Sequence, residues 1–348
     1  MLTEQQIKIL DAKRELARRE LSRRHFLPFV QYMFPGYDVN WHHEVIADRL
    51  ERLVLGVMEQ DNYTNPESIS RLIISMPPRH GKSELASVHF PAWFLAKFPN
   101  KEVIATSYGA DLATDFGRKV RNMFDKPEFK NIFPAVSLAP DSKAADKWNT
   151  NLGGAYTAAG VGGAITGKGA DLLIIDDPFK NSQEAMSEQI RQQKWEWLWD
   201  VAMTRLSQKG VVVLIMTRWH DDDFVGRIHG MNSNATHPWH ELKFPAIATK
   251  NEHEVIYSAR TNSHVHFYRS QGEALWPNRY SVAELESRRN GMSKYSWSAL
   301  FQQDPVDEES IEFKKEWFKT LKEDEVAALD TRGFITIDAD GSLTDRTD

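Results

Sequence analysis

Three stretches of this 348-residue chain carry residue types and spacings suited to phosphate chemistry. In the first, residues 71–83 read Arg-Leu-Ile-Ile-Ser-Met-Pro-Pro-Arg-His-Gly-Lys-Ser. An apolar strand enters a tight loop, and Gly81, Lys82 and Ser83 open a helix. Backbone N–H groups of such a loop, with His80 and Gly81 at its tip, can surround phosphates at the helix N-terminus. Lys82 would reach the β- and γ-phosphates of ATP and Ser83 would ligate Mg²⁺. The match to GxxxxGK[ST] is incomplete, because Met76 stands where the first Gly belongs. Pro77 and Pro78 stiffen the loop instead, and Arg79 adds a second cation. A bare Gly-Lys-Ser also arises by chance; the strand before it and the helix after it favour a phosphate loop.

The second stretch, Gly169 to Pro178, runs four apolar residues into Asp176 and Asp177. Open α/β sheets bind ligands at the carboxyl ends of their strands. An ATPase needs one carboxylate there for Mg²⁺ and usually another to position the attacking water. Asp176 suits the first role and Asp177 the second. Asp-Asp-Pro is equally natural as a turn after a buried strand, and the upstream loop decides between the two. In the third stretch, Val211 to Arg227, a buried strand ends in Thr-Arg-Trp-His. A polar residue there can sense the γ-phosphate. Thr217 is so placed, with Arg218 or His220 to relay the change.

The elements that must position these groups follow from the apolar pattern. Strands are expected at Leu72–Ser75, Glu102–Ser107, Leu172–Ile175 and Val211–Met216. Between them, helices are expected at Ser83–Phe94, Asp111–Phe124 and Ser187–Leu206. Strands alternating with helices imply an α/β fold with a doubly wound, mostly parallel sheet. Upstream, residues 1–26 form a charged helix whose Arg18, Arg19, Arg23 and Arg24 read as a solvated face or as a contact arm for DNA or a partner. A helix from Glu44 to Met58 follows, and Asp61 to Ser68 is a polar linker. Downstream come a strand near Leu242–Phe244, polar loops, a helical stretch from Val282 to Phe301, and a strand at Phe334–Asp338. These boundaries give an N-terminal helical region (1–60), an ATPase core (61–240), a lid or linker (241–330) and a final fragment (331–348).

Composition excludes several classes. There is no cysteine, which removes disulfides, thiolate metal sites and cysteine nucleophiles. No apolar run approaches the length of a bilayer span, and the polar N-terminus is no secretory signal. The net charge of −6 points to no nucleic-acid partner and excludes none, because local patches govern such binding. The Trp195, Trp197 and Trp199 cluster reads as core or interface, with base stacking as the rival. His42, His43 and His220 lack metal-ligand spacing. Gly153 to Gly169 reads as a turn leading into the acidic strand.

Taken together, Pro-Pro-Arg-His-Gly-Lys-Ser, Ile-Ile-Asp-Asp-Pro-Phe-Lys-Asn and Met-Thr-Arg-Trp-His-Asp-Asp-Asp-Phe-Val-Gly-Arg, in this order, resemble the large terminase subunit of tailed bacteriophages. Gln-Gln-Asp-Pro at 302–305 resembles that family's segment before its nuclease domain. The resemblance covers about residues 25–348. It implies a P-loop fold of the additional-strand type and an ATP-driven motor that packages viral DNA into an empty capsid. Arg79, Gly81, Lys82 and Ser83 match the family's deviant phosphate loop, and Asp176 its Mg²⁺ carboxylate. Asp177 matches the catalytic position, where many members carry Glu, and Thr217 to His220 match the coupling motif. Trp41 and His42 lie where the family has an adenine-side motif. The implied partners are double-stranded viral DNA, a portal protein, a small terminase subunit and further copies in a ring, in the host cytoplasm at the procapsid portal. A neighbouring subunit's cation can complete such a site; Lys168, Arg205 and Arg218 are the candidates.

The family's second domain is a ribonuclease H-type nuclease using two Mg²⁺ or Mn²⁺ ions. Phe334–Asp338 resembles its first strand, with Asp338 as first metal ligand and Asp340 or Asp345 as further ones. No later strand supplies the remaining ligands, so the expectation is ATP hydrolysis without DNA cutting. Two rivals share the loop and the acidic strand end: a helicase-like nucleic-acid-dependent ATPase, and a non-hydrolysing assembly module.

Overall fold

The apolar runs that the sequence offers as strands become the centre of one sheet. The computed structural model describes residues 3–58, 68–142, 144–232, 236–258, 261 and 263–305. Three helices come first: α1 (Glu4–Arg24), α2 (Phe26–Met33) and α3 (Trp41–Met58). Strand β1 (Arg71–Ser75) leads through the loop into α4, a π-helical turn Glu84–His89 continuing as Phe90–Lys97. Then come β2 (Glu102–Ser107), α5 (Ala110–Met123), α6 (Pro127–Ile132), β3 (Lys147–Asn149), β4 (Ala155–Gly160) and β5 (Ala170–Asp176). After α7 (Ser182–Met186) and α8 (Glu188–Glu196), the core closes with β6 (Leu206–Met216), α9 (Phe224–Asn232) and β7 (His240–Lys243).

The seven-stranded sheet has the order β3-β4-β2-β5-β6-β1-β7. Every pair is parallel except β3 with β4. Strand β6 is inserted between loop strand β1 and acidic strand β5, as the additional-strand type requires. The register sets Ser75 opposite Met216, Ile215 opposite Asp176 and Asp176 opposite Ser107. The carboxyl ends of four strands are therefore level, and the loop and both carboxylates open at one edge.

Period-two alternation divides the core. Leu72, Ile74, Val211, Val213 and Ile215 face a cluster that includes Phe26, Phe29, Ile46 and Leu50 from α2 and α3. Ile73, Leu173, Ile175, Val212 and Leu214 face Trp197, Leu198 and Phe224. With both faces covered, the strands read as near-continuous apolar runs. A small third cluster joins Ala246, Ala274, Leu285, Trp297 and Phe301 in the segment after β7.

Several elements differ from expectation. The helix expected over 187–206 is helical only as far as Arg205, and it loosens into a π turn at Trp197–Ala202 and a 3₁₀ turn at Met203–Arg205. Leu206 already pairs with Ala170, so β6 begins earlier than its apolar stretch. The Gly-rich stretch is not merely a turn: Ala155–Gly160 is β4, in parallel register with all of β2. Small residues lie there because Gly160 packs on the backbone of Gly109 and Ala110. The polar loops after residue 245 contain an antiparallel hairpin, β8 (Glu252–Ser258) with β9 (Ser263–Arg269). The helical stretch 282–301 is interrupted: Ser281 caps α10 (Val282–Asn290), Gly291 follows its end, and Ser293 caps α11 (Lys294–Ser296). A π-helical Trp297–Phe301 continues α11.

The arginines of α1 are engaged with its own acids: Arg19 with Glu15 at 2.7 Å and Arg24 with Glu20 at 2.6 Å. Arg23 also donates to the Ile132 carbonyl at 2.8 Å. Among the described residues no helix is long and apolar enough to cross a membrane. The expected linker 61–67, the strand at Phe334–Asp338 and Asp338 itself lie outside the described residues.

Candidate nucleotide-binding site

Met76 occupies the position of the missing glycine because the chain there is still part of the core. It is fully buried, and its N–H donates to the Met216 carbonyl at 3.3 Å. Arg79 and Gly81 then take positive φ values of 64° and 98°. At Gly81 a side chain is excluded twice over: a Cβ would stand 2.7 Å from His43 Nε2 and 3.2 Å from the Tyr37 hydroxyl. Lys82 and Ser83 are the first helical residues. Arg79 is exposed, with no side-chain hydrogen bond or ion pair among the described residues.

Two histidines hold the loop from below. His42 Nε2 and His43 Nε2 donate to the carbonyl of His80, at 3.1 and 3.0 Å. A carbonyl only accepts, so both rings carry their proton on Nε2. Asn40 supplies the complementary donors: its side-chain amide reaches His42 Nδ1 at 2.8 Å and its backbone N–H reaches His43 Nδ1 at 3.0 Å. The same Asn40 amide donates to the Leu275 carbonyl at 2.7 Å. Burial keeps both rings neutral, holding His42 well below the ordinary histidine range and His43 down at about 4. His80, also lowered by burial to about 4, donates from Nδ1 to the Pro78 carbonyl at 2.8 Å. Its ring lies 4.8 Å from that of Tyr280. Trp276 stands edge-on to His43 at 4.7 Å.

Opposite the loop, the strand ends bring the expected residues to one point. Lys82 Nζ donates to Thr217 Oγ1 at 2.8 Å and lies 3.4 Å from Asp177 Oδ2. The Thr217 hydroxyl donates to the Met76 carbonyl at 3.3 Å, and its backbone N–H donates to Asp177 Oδ1 at 2.8 Å. Asp177 adopts a left-handed φ of 43°, which turns its side chain back over the end of β6. Asp176 is fully enclosed and accepts from Ser83 Oγ at 3.1 Å and Ser87 Oγ at 2.5 Å. Burial above all, and then the Asp177 charge, push its carboxyl up to about 7.

This donor set fits Mg²⁺. Magnesium is held by one or two carboxylates together with substrate phosphates and water rather than by a protein cage. Asp176 and Ser83 supply hard oxygens, and a buried carboxyl short of positive charge is what a divalent cation would ionise. Among the described residues there is no cluster of three or more His, Asp or Glu that could hold a metal unaided.

Other expected residues are placed elsewhere. Trp41 packs on Phe244 and Phe267, with the Arg269 guanidinium over its ring, so it joins α3 to the segment after β7. Arg218 is 5% exposed and its guanidinium is closed on Asp223 at 2.8 Å. Lys168 and Arg205 are partly exposed. Trp195 packs on both Trp199 and Phe224, and Trp197 donates to the Gly163 carbonyl, so all three serve the core. Sequence reasoning missed Ser87, Asn40 and the loop role of His43. Ser87 had a signal, because helical spacing places it one turn beyond Ser83. The loop role of His43, and with it that of Asn40, had none, since the His80 and Leu275 carbonyls they reach lie across the fold.

The family model described as the large terminase subunit of T4-like virus type, N-terminal part, matches residues 73–318. Among solved structures, the chain is similar to the large terminase of bacteriophage HK97, with 15% identity, a TM-score of 0.43, and 76% of this chain and 50% of that one covered. It is also similar to the large terminase ATPase domain of Thermus phage P74-26, at 14% identity and a TM-score of 0.41, covering 78% and 95%. A third is the large terminase of a thermophilic bacteriophage in complex with ADP, at 11% identity and a TM-score of 0.38, covering 74% and 53%. The chain spans about half the length of the HK97 protein. No curated protein sequence matches it. With the family model extending from the first phosphate-loop strand to beyond the Gln-Gln-Asp-Pro segment, the chain belongs to the large terminase subunit family.

Proposed function

We propose that this chain hydrolyses ATP at the edge where the loop meets the ends of β5 and β6, and that hydrolysis drives packaging of phage DNA. One observation carries the reading: Lys82 Nζ stands within 2.8 Å of Thr217 Oγ1 and 3.4 Å of Asp177 Oδ2. A loop cation, a second carboxylate and a strand-end hydroxyl thus share one point, where a γ-phosphate would lie.

In this reading the loop amides and Lys82 bind the phosphate chain, and exposed Arg79 adds charge from the solvent side. Lys82 exchanges its present bonds to Thr217 and Asp177 for phosphate oxygens. That frees the Asp177 carboxylate to orient water and accept its proton, while the Thr217 N–H keeps it aimed. Thr217 Oγ1, released by Lys82, then reads whether a γ-phosphate is present. Mg²⁺, held by Ser83 and Asp176 when bound, would neutralise charge on the β- and γ-phosphates. A cation from a neighbouring subunit would complete the site. Lys168 and Arg205 suit that role better than Arg218, which Asp223 already occupies.

The partners that follow are double-stranded viral DNA, a portal protein, a small terminase subunit and further copies in a ring, in the host cytoplasm. The test is phosphate release from ATP and Mg²⁺, with and without duplex DNA, for the natural chain and for Lys82→Ala. Removing one preorganised cation should lower kcat by about 10²–10³-fold. Equal turnover by both proteins would overturn the assignment.

A further inference from the structure

Among the described residues, three that are not glycine hold a positive φ: Arg79, Asp177 and Gln303. Such backbone conformations are strained and gather where function over-determines them. Arg79 is in the phosphate loop and Asp177 at the acidic strand end. Gln303, at φ 56°, belongs to neither, and ATP hydrolysis as derived above makes no use of it.

Its side chain shows what it serves. Gln303 is fully buried, and its Oε1 accepts the backbone N–H of Arg218 at 3.2 Å. Its Nε2 donates to the Leu300 carbonyl at 2.6 Å. The amide next along, that of Thr217, holds the Asp177 carboxylate at 2.8 Å. Successive amides of one short segment therefore grip the water-positioning carboxylate and Gln303. The neighbouring Gln302 closes the segment after β7 on itself. Its side chain donates to the Ile247 carbonyl at 2.9 Å and accepts from the Ile247 N–H at 3.1 Å. Tyr295 adds a second bridge, donating to the Trp219 carbonyl at 2.9 Å.

We infer that Gln303 is a positioning residue for hydrolysis, fixing the Thr217–Arg218 peptide and tying its position to that of the 246–305 segment. The inference rests on the ATPase reading. A shift of the Thr217 hydroxyl when Lys82 leaves it moves the following peptide. Gln303 must then follow, or give up both its hydrogen bond and the strained backbone that this bond holds in place. In the reverse direction, a movement of 246–305 draws the Thr217 N–H away from Asp177 and slows turnover.

The test compares natural chain, Gln303→Met and Gln303→Glu in steady-state ATP hydrolysis, with melting temperatures alongside. Met keeps length but offers only a weak thioether acceptor and no donor, whereas Glu, neutral at this fully buried place, keeps an acceptor for Arg218 and an O–H donor for the Leu300 carbonyl. The expected result is a fall of about tenfold in kcat for Gln303→Met with KM for ATP within about twofold, and recovery of most of that kcat in Gln303→Glu. Equal kcat in Gln303→Met and the natural chain overturns the proposal, as does an equal loss in both variants that tracks their melting temperatures. Should Gln303→Met fail to fold, hydrogen exchange on the natural chain decides. The peptide containing Arg218 should change its protection when a non-hydrolysable ATP analogue binds, and unchanged protection in the bound protein overturns the coupling. Absence of turnover in the natural chain would instead overturn the ATPase reading, a separate outcome.

Discussion

On one side of the proposed nucleotide site, the loop is held by uncharged rings that reach it from outside the sheet. His42 and His43 come from the start of α3, and Tyr280 and Trp276 from the segment after β7. On the other side, Asp176 and Asp177 bring carboxyl groups and Thr217 a hydroxyl, and all three are placed by the sheet itself, through strand register and backbone amides. In the proposed function the loop accepts a highly anionic ligand and gives it up again. Neutral buttresses can fix its shape without competing for its cations. The strand ends must hold oxygens at fixed spacing, which a parallel sheet with level strand ends provides at no cost in loop order. Variants of the loop's backbone and its supports should therefore alter binding and stability, whereas variants at the strand ends, or of the Lys82 ammonium that meets them, should alter turnover.

The largest expected separation comes from Asp177→Asn. Asparagine retains an oxygen for the Thr217 N–H but loses the charge and the proton-accepting ability. We expect kcat to fall by about 10²-fold, in the range of a lost general base, with nucleotide affinity and melting temperature nearly unchanged. A comparable loss of affinity would break the division between the two sides. Gly81→Ala is the loop-side counterpart. Its Cβ would meet His43 Nε2 at 2.7 Å, at a φ of 98° that alanine resists. The expected cost is about 1–3 kcal/mol of stability, read as a lower melting temperature, with a raised KM for ATP. A Gly81→Ala chain with normal KM and reduced kcat would place the loop in the chemistry instead.

The same division explains what the sequence makes legible. Asp176, Asp177 and Thr217 each end a contiguous strand pattern, and Lys82 and Ser83 open the helix after one, so local reading finds them and parallel pairing brings them together. The loop's supports share no local pattern. Asn40 makes local bonds to His42 and His43, but its bond to the Leu275 carbonyl, and theirs to the His80 carbonyl, are created only by tertiary packing. Hairpin β8–β9 is hidden for another reason. Its apolar face is short, with Ile256, Val265 and Phe267 meeting the core, and its outer face carries the rings of His253, His266 and Tyr268. Strand β4 is hidden by Gly160, a residue disfavoured in strands that is needed there for close backbone packing.

A smaller effect, and the finest test, comes from pH, because the two sides titrate in opposite senses. Burial lowers His42 and His43, and the Asn40 donors face their Nδ1 atoms, where a second proton would have to go. Their contribution to stability is present above the unfolded histidine value of about 6.5 and is lost as pH falls below it, for His43 through about 4. Asp176 is raised, to about 7, so its contribution is present below the unfolded value of about 3.9 and is lost as pH rises through about 7. Between pH 7.5 and 6, each titrating group contributes about 1 kcal/mol, and in the natural chain the carboxyl opposes the rings. Asp176→Asn removes one arm: its melting temperature should fall more steeply on acidification than that of the natural chain. His43→Gln keeps a donor for the His80 carbonyl but does not titrate, so its melting temperature should fall less, or rise. Parallel melting profiles for the three proteins would show that the opposed burial of neutral rings and carboxylate does not govern the stability of this edge.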